Sequence, residues 1–254
     1  MTSVLFVKRY DGPERCAAAA AHHAWLTGLG SGVRIPHLRG RDARHLTFER
    51  LAGVTPGVVD LPRVAATLGR LHAAAYRREL HAARLDRSHT TSAGLVIPDF
   101  ATPRRRALHR AAAVTGVDPA AIDAVVDRPH LPAAFYKDPN VRNYLVDGEN
   151  IAVVDFDDLT LAPFGYDLAG LLVTTSMMYG RIDEHIIARC LDAYRTEIAP
   201  NHCHADDLLR YAELHHLLTL RYLGRNGYRQ PWPTVRPWPD PFAPDRSDPS
   251  KEPL

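Results

Sequence analysis

Three oxygen-bearing side chains fall close together in one stretch of this sequence. Asp138 and Asn143 bracket a tight loop, Asp138-Pro-Asn-Val-Arg-Asn143, and Asp155 ends the apolar run Ile151-Ala-Val-Val154. Asp147-Gly148 stands between two β-like segments, residues 143–146 and 151–156, and is a hairpin signal. A hairpin brings its two ends together, so Asn143 and Asp155 would face one space with Asp138 nearby. Two oxygen ligands beside a third carboxylate make a poor core. They make a good cradle for Mg²⁺ and a triphosphate, because magnesium takes one or two protein oxygens and completes its shell with phosphate and water.

The elements that must position these groups are legible in outline. Residues 3–10 alternate as a strand that places Phe6, Lys8 and Tyr10 on one face. Asp11-Gly12-Pro13 ends it and opens a helix through the alanines at 17–21 to about Leu26. A second strand spans residues 45–51 and leads to a connector at Ala52-Gly53. From Pro62 the spacing of Val64, Leu68, Leu71 and Ala75 predicts a helix. Residues 80–130 read as helical fragments broken by turns, and two further helical stripes follow Asp167. The order is therefore α+β: a small β-rich part (1–52), a larger helical part carrying the hairpin (53–230), and a Pro/Trp-rich tail (231–254). The tail repeats Pro-Trp-Pro at 231–233 and 237–239, so it is expected to be extended or irregular, neither helix nor central strand. Its tryptophans are expected to pack back on the body.

Composition bounds the function classes. A net charge of +2 with 46% hydrophobic and 24% charged residues is ordinary for a globular chain and gives no reason to invoke nucleic acid or an anionic membrane surface. The basic run Arg104 to Arg106 reads as a solvated helix face. The apolar run Val4 to Val7 is too short for a signal-peptide core or a membrane span, and three unpaired cysteines read as reduced thiols. The expected location is cytoplasmic. Only three of the 31 basic residues are lysine, so Lys8 and Lys137 stand out in an arginine-biased chain.

The order Asp138-x-x-x-x-Asn143, then Asp155-Phe-Asp-Asp158, then Pro163-Phe-Gly-Tyr-Asp167-Leu-Ala169 resembles the catalytic core of aminoglycoside phosphotransferases and related small-molecule kinases. The resemblance runs over roughly residues 1–225, with residues 46–53 similar to the hinge strand and 66–72 to the helix after it. It implies a bilobal protein-kinase-like fold with a reduced N-lobe, ATP as phosphoryl donor, Mg²⁺, and a small hydroxylated acceptor. It implies Asp138 as catalytic base, Asn143 and Asp155 as metal ligands, and Asp167 as a buried brace. Lys8 would meet the α- and β-phosphates, Phe6 would lie over the base, and backbone groups at Glu49 and Leu51 would bond its edge. Asp157 and Asp158 are either solvated loop acids or contacts to the acceptor.

The sequence departs from that pattern at three places. Tyr136-Lys137-Asp138 stands where His-Gly-Asp is usual, so Tyr136 is expected to take over the brace and Lys137 to pair outward rather than with phosphate. The helix after Lys8 offers only Glu14 and then His22-His23, so no glutamate is placed to pair with the lysine. Only seven residues precede Lys8, too few for a glycine-rich roof over the phosphates, and the Trp-rich tail is a candidate cover. These departures motivate the alternative of a pseudokinase-like binding module without transfer activity. Asn201-His-Cys-His204 has a metal-like composition, yet lacks the partner ligands a zinc site needs, and reads as a polar loop. His215 reads as a hydrogen-bonded core histidine.

Overall fold

The computed structural model describes residues 4–243; Ser3 of the first predicted strand and residues 244–254 of the tail lie outside the described residues. The first part of the chain builds a three-stranded antiparallel sheet from β1 (Leu5–Arg9), β2 (Leu38–Arg41) and β3 (His45–Glu49), in the order β1-β3-β2. The register sets Lys8 opposite Leu46 and Phe6 opposite Phe48. Helix α1 (Pro13–Gly28), with proline in its first turn, packs on this sheet around Tyr10, Cys16, Ala19, Leu46 and Phe48. The strand β2 was not legible beforehand. Leu38-Arg-Gly-Arg41 lacks the apolar alternation that marks a strand, and its pairing with β3 carries an irregularity between Leu38 and Gly40.

Gly53 joins this sheet to the rest of the molecule. Its φ is +122°, and a Cβ there would lie 2.8 Å from the carbonyl oxygen of Val146. The next residue, Val54, exchanges both backbone hydrogen bonds with Val146, at 3.0 and 2.8 Å. Only a residue with no side chain can make this close, left-handed crossing.

The larger part is mostly helical. Helix α2 (Leu61–Arg78) buries the predicted stripe of Val64, Leu68, Leu71 and Ala75. The two-stranded β4 (His89–Thr90) and β5 (Val96–Ile97) lead to α3 (Ala101–Thr115) and α4 (Pro119–Val126). Four short strands follow: β6 (Ala133–Tyr136), β7 (Tyr144–Asp147), β8 (Asn150–Val153) and β9 (Thr160–Pro163). The hairpin β7–β8 turns at Asp147 to Asn150 as expected, whereas the antiparallel β6–β9 pair was not foreseen. Ala133 to Phe135 is buried throughout, so it shows no period of two to read.

Helix α5 (Tyr166–Tyr179) is buried from Tyr166 to Met177 and forms the centre of the helical part. Around it stand α6 (Glu184–Glu197) and α7 (Ala205–Thr219). α2 and α6 approach closely because position 69 is glycine; a Cβ would come within 2.8 Å of the Tyr194 carbonyl oxygen. The described tail corrects the expectation of no helix: it forms one helical turn, α8 (Trp232–Val235), packed on α5 and α7, with Pro233 in the first turn, where no N–H is needed. Trp232 is fully buried there and donates its indole N–H to Glu213 at 2.8 Å. Trp238 lies edge-on to it at 5.6 Å. The tryptophans do pack back on the body. In doing so they sit by Glu213 and His216, and the described tail does not line the cleft beside Lys8. The fold is bilobal, protein-kinase-like and α+β.

Candidate active site

Asp138 and Asp155 both have left-handed backbone, with φ of +53° and +65°. For residues with a Cβ such a conformation is uncommon and held only by its surroundings. Here it follows from where each falls. Asp138 leaves β6 into the loop before the hairpin, and Asp155 leaves β8, so both chains turn sharply just after a buried strand. The Asn143 side-chain amide donates to the backbone carbonyl of Asp138 at 2.9 Å and to its carboxylate at 3.3 Å. The Val154 N–H donates to the Asn143 carbonyl at 2.9 Å, which fixes the Asp155 end of the hairpin to the same residue. Burial raises the Asp138 carboxyl above the usual range, Lys137 and the Asn140 amide pull it back, and Asp155 adds to the rise.

On the sheet side, the Lys8 ammonium lies 2.8 Å from Asp155 and 2.8 Å from Asp157. Partial burial works against its charge, but the hydrogen bonds and attraction of both aspartates outweigh that and its pKa is raised. The Tyr10 hydroxyl donates to Asp157 at 3.0 Å. Asp157 was expected as a loop acid or an acceptor contact; it stands instead against Lys8. It fills the place for which helix α1 offers no glutamate. His22 of that helix meets the Phe156 carbonyl at 3.1 Å, tying α1 to the same Asp-Phe-Asp segment.

Lys137 points inward, not outward. With its left-handed turn, Asp138 borders the space between α3 and α7, while the preceding side chain enters the core, where it is 1% exposed. Its ammonium donates to the Val154 carbonyl at 3.1 Å and lies over the rings of Tyr144 and Phe156. Burial lowers its pKa. The Lys137 backbone N–H donates to the fully buried Asp167 at 3.2 Å, which ties this carboxylate to the loop that carries Asp138. Tyr136 does not share in that contact. Its ring turns to Tyr166 and Arg104, and the residue beside Asp167 is His72, 3.8 Å away and hydrogen-bonded to Tyr194.

Two cavities meet at this loop. A cleft of about 490 Å³ between the sheet and the hairpin is lined by Phe6, Lys8, Glu49, Leu51, Asn143 and Asp155. Glu49 enters it differently from expectation: its N–H is already given to the His37 carbonyl at 2.9 Å, and its carboxylate to Arg34 and the His37 amide. Leu51 lies in the connector beyond β3. A second cavity of about 690 Å³ between α3 and α7 is lined by Asp138, Asp158, Tyr136, Arg104 and Arg142. Arg142 borders both. Arg104 breaks the expectation of a solvated basic run. It shares the buried face of α3 with Ala101, Leu108 and Ala112, a helical spacing visible in the sequence once α3 is placed.

His202 packs its ring against Tyr76 and Phe164, and Cys203 is buried. Among the described residues no group of three or more His, Cys, Asp or Glu is arranged to hold a metal ion. His215 is buried as expected, but its Nδ1 has no hydrogen-bond partner among the described residues. No helix among the described residues is long and apolar enough to cross a membrane.

A small sheet stands on a helical lobe, with Asp138, Asn143 and Asp155 at the junction. The profile of the phosphotransferase enzyme family matches residues 2–214, and the chain belongs to that family. Among solved structures it is similar to a choline/ethanolamine kinase family protein from Mesorhizobium loti, with 17% identity, 89% of this chain and 75% of that one covered, and a TM-score of 0.57. It is similar to a macrolide 2′-phosphotransferase from Brachybacterium faecium, at 17% identity, 93% and 86% coverage, and a TM-score of 0.52. An aminoglycoside phosphotransferase from Alicyclobacillus acidocaldarius shares 19% identity over 86% and 74% of the two chains, with a TM-score of 0.52. At these identities the likeness establishes the fold. No curated protein matches the sequence.

Proposed function

We propose that this protein transfers the γ-phosphoryl group of ATP to a hydroxyl of a small molecule. The observation that carries this reading is the Asn143 side chain, which bonds Asp138 in the acceptor cavity while lining the cleft that holds Asp155 and Lys8. One residue thus joins the two halves of a transfer site.

The donor set fits magnesium. Asn143 gives its amide nitrogen to Asp138, which leaves its carbonyl oxygen to face a cation, and Asp155 adds a carboxylate; both are hard oxygen ligands. Asp155 already receives a cation, the Lys8 ammonium, at 2.8 Å. When bound, Mg²⁺ would draw charge from the triphosphate and help hold it in line. Lys8 meets the phosphates, and Phe6 and Leu51 border the base.

In the transfer, Asp138 accepts the proton of the acceptor hydroxyl. The hydroxyl oxygen forms a bond to the γ-phosphorus, the bond from that phosphorus to the β–γ bridging oxygen breaks, and ADP leaves. Burial keeps the Asp138 carboxylate a stronger base than a solvated one. Asn143 and Asp167 hold its loop from the two sides.

Asp138→Ala is the test. Turnover of Mg·ATP with an accepted substrate should fall roughly 10²- to 10⁴-fold while the fold is retained. An unchanged rate would remove Asp138 from the chemistry. A binding module without transfer predicts instead stabilisation by Mg·ATP with no ADP formed by the unmodified protein.

A further inference from the structure

The acceptor cavity is basic. Among the described residues Arg104, Arg110, Arg142 and Arg221 line it against two acids, Asp138 and Asp158, and none of the four arginines pairs with a carboxylate. Three of them are exposed, where a free guanidinium is unremarkable. Arg104 is different.

Arg104 is 6% exposed, and its guanidinium carbon lies 4.6 Å from the ring centre of Phe100, 4.9 Å from Tyr136 and 5.0 Å from Tyr166. Two hydrogen bonds hold it, to the Phe100 carbonyl at 3.0 Å and the Thr160 hydroxyl at 2.7 Å. A guanidinium has five N–H donors in a rigid fork, and these two bonds use only part of it. A buried charge is costly unless paired, and both partners here are neutral. The fully buried ring of Tyr166 closes the site on one side. The aromatic walls fix the plane of the fork, so it cannot turn away to solvent. Tyr136 and Asp138 lie on one short run of chain, which sets this fork within a small molecule's reach of the base.

A fixed, water-poor guanidinium is built to take a carboxylate or phosphate through two parallel hydrogen bonds. A polycation would meet four like charges instead. We propose that the acceptor is a hydroxylated small molecule carrying a carboxylate or phosphate group, seated on Arg104 with Arg110, Arg142 and Arg221 around it. As a statement about a phosphorylated substrate this rests on the transfer reading above; as a statement about binding it does not.

Four sugars on one ring skeleton separate the cases: glucuronate, glucose 6-phosphate, glucose and glucosamine. Each is titrated into the full chain without nucleotide, following thermal unfolding, and then incubated with Mg·ATP while ADP is measured. At least one anionic sugar should bind tenfold or more tightly than glucose, with glucosamine weakest, and which of the two leads distinguishes carboxylate from phosphate. Arg104→Gln should abolish that preference. Because Arg104 is buried, the exposed pair Arg110→Gln/Arg221→Gln serves as a second variant and should reduce the preference at least threefold. Glucosamine or glucose binding as tightly as both anions, or no anion binding at 10 mM, overturns the proposal. Anion-selective binding with no ADP formed upholds it and sinks the transfer reading; ADP formed equally well with glucosamine does the reverse.

Discussion

The Lys8 ammonium lies 2.8 Å from Asp155, a contact that spans the cleft between the sheet and the hairpin. Asp157 makes a second contact at the same distance. On the proposed reading Asp155 would turn to Mg²⁺, and Asp157 would be the partner that stays with the lysine. Asp157→Asn is therefore expected to raise KM for ATP about tenfold, close to 1.4 kcal/mol, with kcat changed less. Steady-state kinetics at varied ATP measures this, and an unaltered KM would show that Asp157 does not place Lys8.

Gly53 should tolerate no side chain. Alanine there would have to hold φ near +122° and push against the Val146 carbonyl oxygen at 2.8 Å. The expected cost is about 2 kcal/mol, which for a chain of this size lowers Tm by about 4–8 °C. Thermal and urea unfolding read it directly. The paired backbone bonds of Val54 and Val146 should loosen too, weakening nucleotide binding.

Two buried histidines should make the protein acid-sensitive. Burial holds His215 down to about 3, with Arg104 and His216 adding to the effect, and burial holds His216 down to about 4, with Arg236 adding. Unfolded, each would titrate near 6.5, so below that pH the unfolded chain binds more protons than the folded one. Stability is full above pH 6.5 and falls as pH drops towards 4, by up to about 1.4 kcal/mol per unit for each residue. His215→Gln should flatten the urea-midpoint profile between pH 4 and 6.5; an unchanged slope would show that His215 does not drive the loss.

The described tail packs on the helical part, away from the cleft beside Lys8. Trp232→Ala removes a fully buried ring and leaves Glu213 without its indole donor at 2.8 Å. Destabilisation of about 3–5 kcal/mol is expected. At a temperature where the variant remains folded, KM for ATP should be unchanged. A raised KM would return the tail to the role of cleft cover.

Much was legible in the residues alone. The Asp138, Asn143 and Asp155 spacing, the Asp-Gly hairpin and the stripe on α2 are local features, set by turn chemistry and periodicity, and the chain folded as they imply. What the sequence could not show depends on contacts between distant segments. Asp157 reaches Lys8 across 149 positions because the hairpin and β1 share one cleft. Lys137 turns inward beside a neighbour in left-handed conformation, and His72 rather than Tyr136 comes to stand by Asp167 because α2 packs over β6. Arg104 looked like one of three surface arginines until the helix was rotated onto its partners. Side-chain type and short-range spacing determined which groups were available for chemistry; tertiary packing alone decided which of them meet, because burial and charge pairing act through space and not along the chain.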